Sequence, residues 1–138
     1  MTESVLIDQL IHHEGLRLRP YRCPAGRLTI GVGRNLDDKG ISHEEALYLL
    51  KNDISESVID LQDIFDGGLY RLPEIVQRVL IDMRFNLGAS GFRRFKKMIA
   101  AVNIGNFDLA ALEMENSNWY NQVGNRSKTL VKMMLKAS

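Results

Sequence analysis

Residues 15 to 33, GLRLRPYRCPAGRLTIGVG, limit the fold more than any other stretch of the chain. Pro20 and Pro24 each lack a main-chain donor and fix their own φ, and the Ala25-Gly26 pair adds a turn signal, so no helix runs through the segment. The chain must turn back here. Beyond Gly26, Leu28, Ile30 and Val32 alternate with Thr29, Gly31 and Gly33, the pattern of a short strand whose glycines admit close approach of other backbone or of a ligand. Ahead of the segment, Leu6, Ile7, Leu10 and Ile11 recur at helical spacing, and Gly15 closes that helix. A helix followed by a small β-hairpin lobe is therefore expected over about 1 to 41.

From Ser42 the periodicity turns helical. Ser42 with Glu45 three residues later forms a capping box, and Ala46, Leu49, Leu50, Ile54, Val58 and Leu61 follow along one face, which predicts a long connecting helix over about 42 to 61. Asp66-Gly67-Gly68 breaks it. Pro73 suits a first helical turn, and Ile75, Val76, Val79, Leu80, Met83 and Leu87 form a core stripe that ends at Gly88. Further helices are predicted over Phe92 to Val102, Phe107 to Glu115 and about Asn125 to Leu135, separated by Gly or Asn. The expected fold class is α+β: a single domain over 1 to 138, with a small β-hairpin lobe, a long helix, a larger helical lobe over about 62 to 138, and a cleft between the lobes.

At 138 residues with 45% hydrophobic side chains, the chain is long enough to bury a core. Its single cysteine, Cys23, cannot form an internal disulfide, so packing alone must hold the fold and Cys23 needs another explanation. His12, His13 and His43 lack the partners of a metal set, and neither metal nor cofactor is expected. The amino terminus, MTESVLIDQLIHHEG, carries acids and interrupted apolar runs, unlike a signal peptide or a membrane span. Charge is unevenly placed. Arg17, Arg19, Arg22, Arg27 and Arg34 crowd one stretch, residues 37 to 66 hold nine acids and two lysines, and Arg93, Arg94, Lys96 and Lys97 form a second basic run. These runs are either solvated faces or an attraction for an acidic polymer. Nucleic acid is set aside, because no aromatic residues interleave with the cations in the stacking pattern.

Glu14 extends the apolar stripe of the first helix at its carboxyl end. Desolvation and the helix dipole would both favour a protonated carboxyl there, the making of a general acid; alternatively the side chain sits at the helix edge and reaches water. A motif bears on this choice. Glu14, eight residues, Cys23, five residues and Thr29 reproduce the signature of the phage-type lysozymes, glycoside hydrolase family 24, in which the second position is aspartate or cysteine. Trp119-Tyr120-Asn121-Gln122 followed by Asn125-Arg126 resembles a second motif of that family, and Phe85-Asn86-Leu87-Gly88 is similar to its cleft-lining segment.

The resemblance implies a muramidase, or endolysin, that hydrolyses the β-1,4 bond between N-acetylmuramic acid and N-acetylglucosamine in peptidoglycan. Glu14 would be the acid, Cys23 a partial thiolate acting as base or electrostatic support, Thr29 a holder of water, and Arg126 the residue that orients the acid. Arg34, Asn35, Phe85 and Asn86 would bind substrate. A thiol titrates near ~8.5, so Cys23 needs neighbours that favour the thiolate, such as Arg22 or Arg27. Arg34 stands where a family member has histidine, which removes one known ion pair and frees Arg34 to face the polymer; the loop before Ser42 is shorter, and a final short helix is missing. Two other readings are open: a lytic transglycosylase that leaves an anhydro end, and a non-catalytic peptidoglycan-binding or tail-associated module. The expected protein is a monomer without stable membrane insertion, made in the cytoplasm without a signal peptide and released to the wall through a holin-type pore.

Overall fold

The structure, a computed structural model, describes residues 2–137. The chain divides into two compact units, Met1–Tyr48 and Leu49–Ser138. The first contains α1 (Glu3–Glu14), then β1 (Arg17–Arg22), β2 (Leu28–Gly31) and β3 (Arg34–Asn35) in an antiparallel sheet of order β1-β2-β3. Gly15 ends α1 at φ 80°, with its N–H on the Ile11 carbonyl at 2.7 Å. The register of β1 on β2 shifts between Arg17 and Tyr21. Pro20 lies inside that irregularity on an edge strand, where its missing N–H costs no regular ladder bond.

The hairpin turn is legible residue by residue. Pro24 takes the second turn position and Gly26 the fourth, at φ 81°, with the Gly26 N–H donating to the Cys23 carbonyl at 2.8 Å. The third strand was not expected. It is two residues long, too short for alternation to register, and is held by tertiary bonds: the Leu36 N–H reaches the Leu28 carbonyl, and Asp37 accepts from the Leu28 N–H at 2.7 Å.

Helix α2 (His43–Ile64) begins at the expected capping box, with Ser42 N–H donating to Glu45 at 2.8 Å and Glu45 N–H to the Ser42 hydroxyl at 3.1 Å. It runs three residues beyond the predicted end. The unit boundary falls within it, and of its predicted apolar face only Leu61 is buried, because the core of the second unit reaches back along α2 only to Val58, Leu61 and Ile64.

The second unit continues with a 3-10 turn (Leu69–Arg71), α3 (Glu74–Arg93), α4 (Lys96–Asn103), α5 (Phe107–Glu115), α6 (Asn118–Val123) and α7 (Asn125–Leu135). Pro73 caps α3 from outside its first turn. The core stripe of α3 is buried at Val76, Val79, Leu80 and Met83, and the predicted break at Gly88 is a kink (φ 76°, ψ 173°) after which helix resumes to Arg93. The helix expected from Phe92 therefore begins at Lys96. Helices α5 and α7 match their predicted spans, whereas α6 was not foreseen: six residues between Ser117, which accepts from the Tyr120 N–H, and Gly124 are too few for a periodic signal. Phe65 packs edge-on to Phe92 and Phe95 to Trp119 across the core. Among the described residues no helix is long and apolar enough to cross a membrane. The fold class is α+β, as expected.

Candidate active site

The first unit carries Glu14, Cys23, Thr29, Arg34 and Asn35. Glu14 is the last residue of α1, and the helix ends there because Gly15 leaves helical space. Its carboxylate lies against the backbone of Gly33 at the exit of β2 and lines a pocket of about 350 Å³ with Ile7, Leu10, Ile11 and Val32. The desolvation expected of a carboxyl on an apolar stripe is not found: α1 has no buried residue, and Glu14 is exposed. The stripe supplies a pocket wall rather than a core face.

Cys23 opens the hairpin turn and is half-buried, with its own N–H on the Arg27 carbonyl at 3.0 Å. The turn curls main-chain N–H groups toward the sulfur, and the Arg27 amide leads in holding the thiol below its usual range. Partial burial opposes this, while the Ala25 amide assists. The cause differs from the expected one, since backbone dipoles rather than the Arg22 or Arg27 guanidinium do the work. Thr29, at 4% exposure, donates its hydroxyl to the Arg27 carbonyl at 2.8 Å, which leaves its lone pairs to accept.

Arg34 is committed within the unit. Its two terminal nitrogens reach the two Glu45 oxygens at 2.9 and 2.8 Å, and one also donates to the Gly40 carbonyl. An ion pair thus exists at this position with a partner that the sequence did not suggest. The Arg34 fork is also the main reason that the Glu45 carboxyl falls to about 2, with the Ser42 amide and hydroxyl adding to it. Asn35 closes a turn: its amide donates to Asp38 at 2.9 Å and its oxygen accepts the Asp38 N–H. Arg22 and Arg27 likewise pair with Asp37 and Asp38, so much of the first basic run is neutralised by the start of the acidic one.

The second unit carries Phe85, Asn86 and Arg126. Phe85 is 44% exposed and lines a groove of about 500 Å³ with Leu50, Ile54, Ile81 and Arg126. Asn86 accepts from the Trp119 indole N–H at 2.9 Å, joining two of the sequence motifs. Arg126 sits in the first turn of α7 and donates through Nε to Asp82 at 2.7 Å and through a terminal nitrogen to the Asp82 carbonyl at 3.3 Å. Asp82, and the pairing of Glu45 with Arg34, were missed in the sequence, because a pairing across 44 or 11 positions leaves no local signal. In the second basic run Arg93 is bound to Asp60, which also holds Arg84; Arg94, Lys96 and Lys97 border a pocket of about 560 Å³ beside Phe95 and Trp119. Among the described residues no group of three or more His, Cys, Asp or Glu side chains is gathered as a metal set.

Residues 11–134 match the phage lysozyme family. "Probable T4-type lysozyme 2" of Dictyostelium discoideum is 26% identical, over 93% of this chain and 92% of that protein. The "Endolysin" of Acyrthosiphon pisum secondary endosymbiont phage 1 is 30% identical, over 73% of this chain and 68% of the relative. "Pre-baseplate central spike protein Gp5" of Enterobacteria phage T4 is 24% identical over 94% of this chain, which corresponds to 27% of that longer protein.

Proposed function

The chain belongs to the phage lysozyme family and is a lysozyme, a glycoside hydrolase of peptidoglycan, and from that premise we propose that Glu14 is the general acid that cuts between N-acetylmuramic acid and N-acetylglucosamine. The observation that carries this reading is the placement of Glu14: an exposed carboxyl at the end of α1, backed by Gly33 and opening onto a pocket. In that position the carboxyl gives its proton to the glycosidic oxygen as the bond breaks, and positive charge builds on the sugar ring.

Cys23 serves the other half of the reaction. As a thiolate it supports the oxocarbenium-like ring or draws a proton from the attacking water, and the Arg27 and Ala25 amides favour that ionised form. Thr29 holds the water: with its hydrogen on the Arg27 carbonyl, its oxygen accepts from a water beside Cys23. Arg126 is fixed by Asp82, and Phe85 with Asn86 presents a sugar-binding edge. Arg34 and Asn35, braced by Glu45 and Asp38, join the substrate-binding set from the loop beyond β2. The protein works as a monomer, made inside the host and released to the wall through a holin-type pore.

Mass spectrometry of fragments released from purified peptidoglycan tests the reading. Reducing muramic ends that vanish in Glu14→Gln are expected. Anhydro ends would make the enzyme a lytic transglycosylase, and binding without release by the unaltered chain would make it a wall-binding or tail-associated module, a reading that its likeness to part of a spike protein keeps in view.

A further inference from the structure

We propose that Gly33 is a positioning residue for the general acid: the volume that a side chain at position 33 would occupy is filled by the Glu14 carboxylate. This rests on the reading of Glu14 given above. The first unit contains five glycines at positive φ: Gly15, Gly26, Gly31, Gly33 and Gly40. A Cβ built on four of them meets nothing within 4 Å. On Gly33 it would stand 2.6 Å from Oε2 of Glu14, 3.0 Å from its Cδ and 3.3 Å from its Cγ. The backbone conformation alone explains a glycine at all five positions, but only at Gly33 is the vacated space in use.

The consequence is specific to catalysis. A glutamate at a helix end has three side-chain torsions and would otherwise sample several carboxyl positions. Here Glu14 shares its pocket with Ile7, Leu10, Ile11, Val32 and Gly33, and the space that a Cβ at Gly33 would take is held by the carboxyl. An added methyl group at 33 displaces the far end of a flexible side chain. The fold therefore bears little extra strain, while the acid is pushed from its place, and a displacement of about 1 Å costs on the order of 10²-fold in rate.

Gly31 provides the control, because its φ of 70° is close to the 64° of Gly33 and its Cβ position is open. Gly33→Ala and Gly31→Ala are compared by thermal unfolding and by kcat and KM on purified peptidoglycan, with Glu14→Gln alongside. The two alanine variants are expected to melt at similar temperatures, with kcat at least ~10-fold lower in Gly33→Ala and little change in KM. Equal losses of kcat, or a loss confined to KM, would overturn the proposal. If Gly33→Ala does not fold, the double variant Glu14→Asp/Gly33→Ala, whose carboxyl is drawn back by one methylene, is expected to recover the Gly31→Ala melting temperature; no recovery overturns the proposal as well. Retained lysis in Glu14→Gln would remove the premise itself, whereas an inactive Glu14→Gln with equivalent alanine variants would remove only the role of Gly33.

Discussion

The two units of this chain are built by different physics. From Leu61 onward, Phe65, Leu80, Met83, Phe92, Met114 and their neighbours are buried almost completely, and each such side chain contributes roughly 1.5–3 kcal/mol through removal from water. Up to Tyr48, Thr29 is the one buried residue among those described, and order comes from turn chemistry and polar pairs: Pro24 and Gly26 in the hairpin, Asp37 on the Leu28 amide, Arg34 on Glu45, Ser42 and Glu45 in their capping box. The proposed acid, thiol and water holder all belong to this second kind of structure. An exposed carboxyl and a half-buried thiol can meet a polymeric substrate because they are not used as core, and the other unit supplies most of the hydrophobic stabilisation.

That division makes sharp predictions. Glu14→Gln should lower peptidoglycan release by about 10³-fold and leave the melting temperature unchanged, as read by turbidity clearance beside calorimetry. A large fall in melting temperature would blur the contrast, since Glu14 would then hold structure as well as chemistry. Phe92→Ala should do the reverse, costing about 3–5 kcal/mol in chemical denaturation with activity per folded molecule preserved. Cys23→Ala should reduce kcat by roughly 10²-fold, while Cys23→Asp keeps most of it; full activity in the alanine variant would return Cys23 to the role of a small apolar residue.

The smallest effect concerns acid. The folded value of Glu45, about 2, lies below its ordinary 4.5, so the pair with Arg34 stabilises fully above about pH 4.5, and that contribution fades as pH falls toward 2. Over this window, amide exchange of β2 and β3 should rise earlier than that of α3. Glu45→Gln should flatten the pH dependence of the sheet amides, and an unchanged slope would show that other carboxylates control it.

Much of this was legible in the sequence wherever the cause is local. The Ser42-Glu45 box, the turn at Pro24-Gly26, the end of α1 at Gly15 and the spans of α5 and α7 each depend on residues within a few positions of one another. Elements too short to show a period, β3 and α6, were not legible.

Sequence by itself also named the candidate members of the proposed site, because the spacing of Glu14, Cys23 and Thr29 is a property of the chain and not of its packing. Tertiary structure alone decided how those residues are held. An apolar stripe becomes core only if another face covers it, so Leu10 and Ile11 ended as a pocket wall and Glu14 remained in water. Opposite charges far apart in sequence pair only once the backbone brings them together, which is why Arg34 found Glu45 and Arg126 found Asp82. The contact of Gly33 with the Glu14 carboxylate is of the same kind, a distance between two elements that no local pattern encodes.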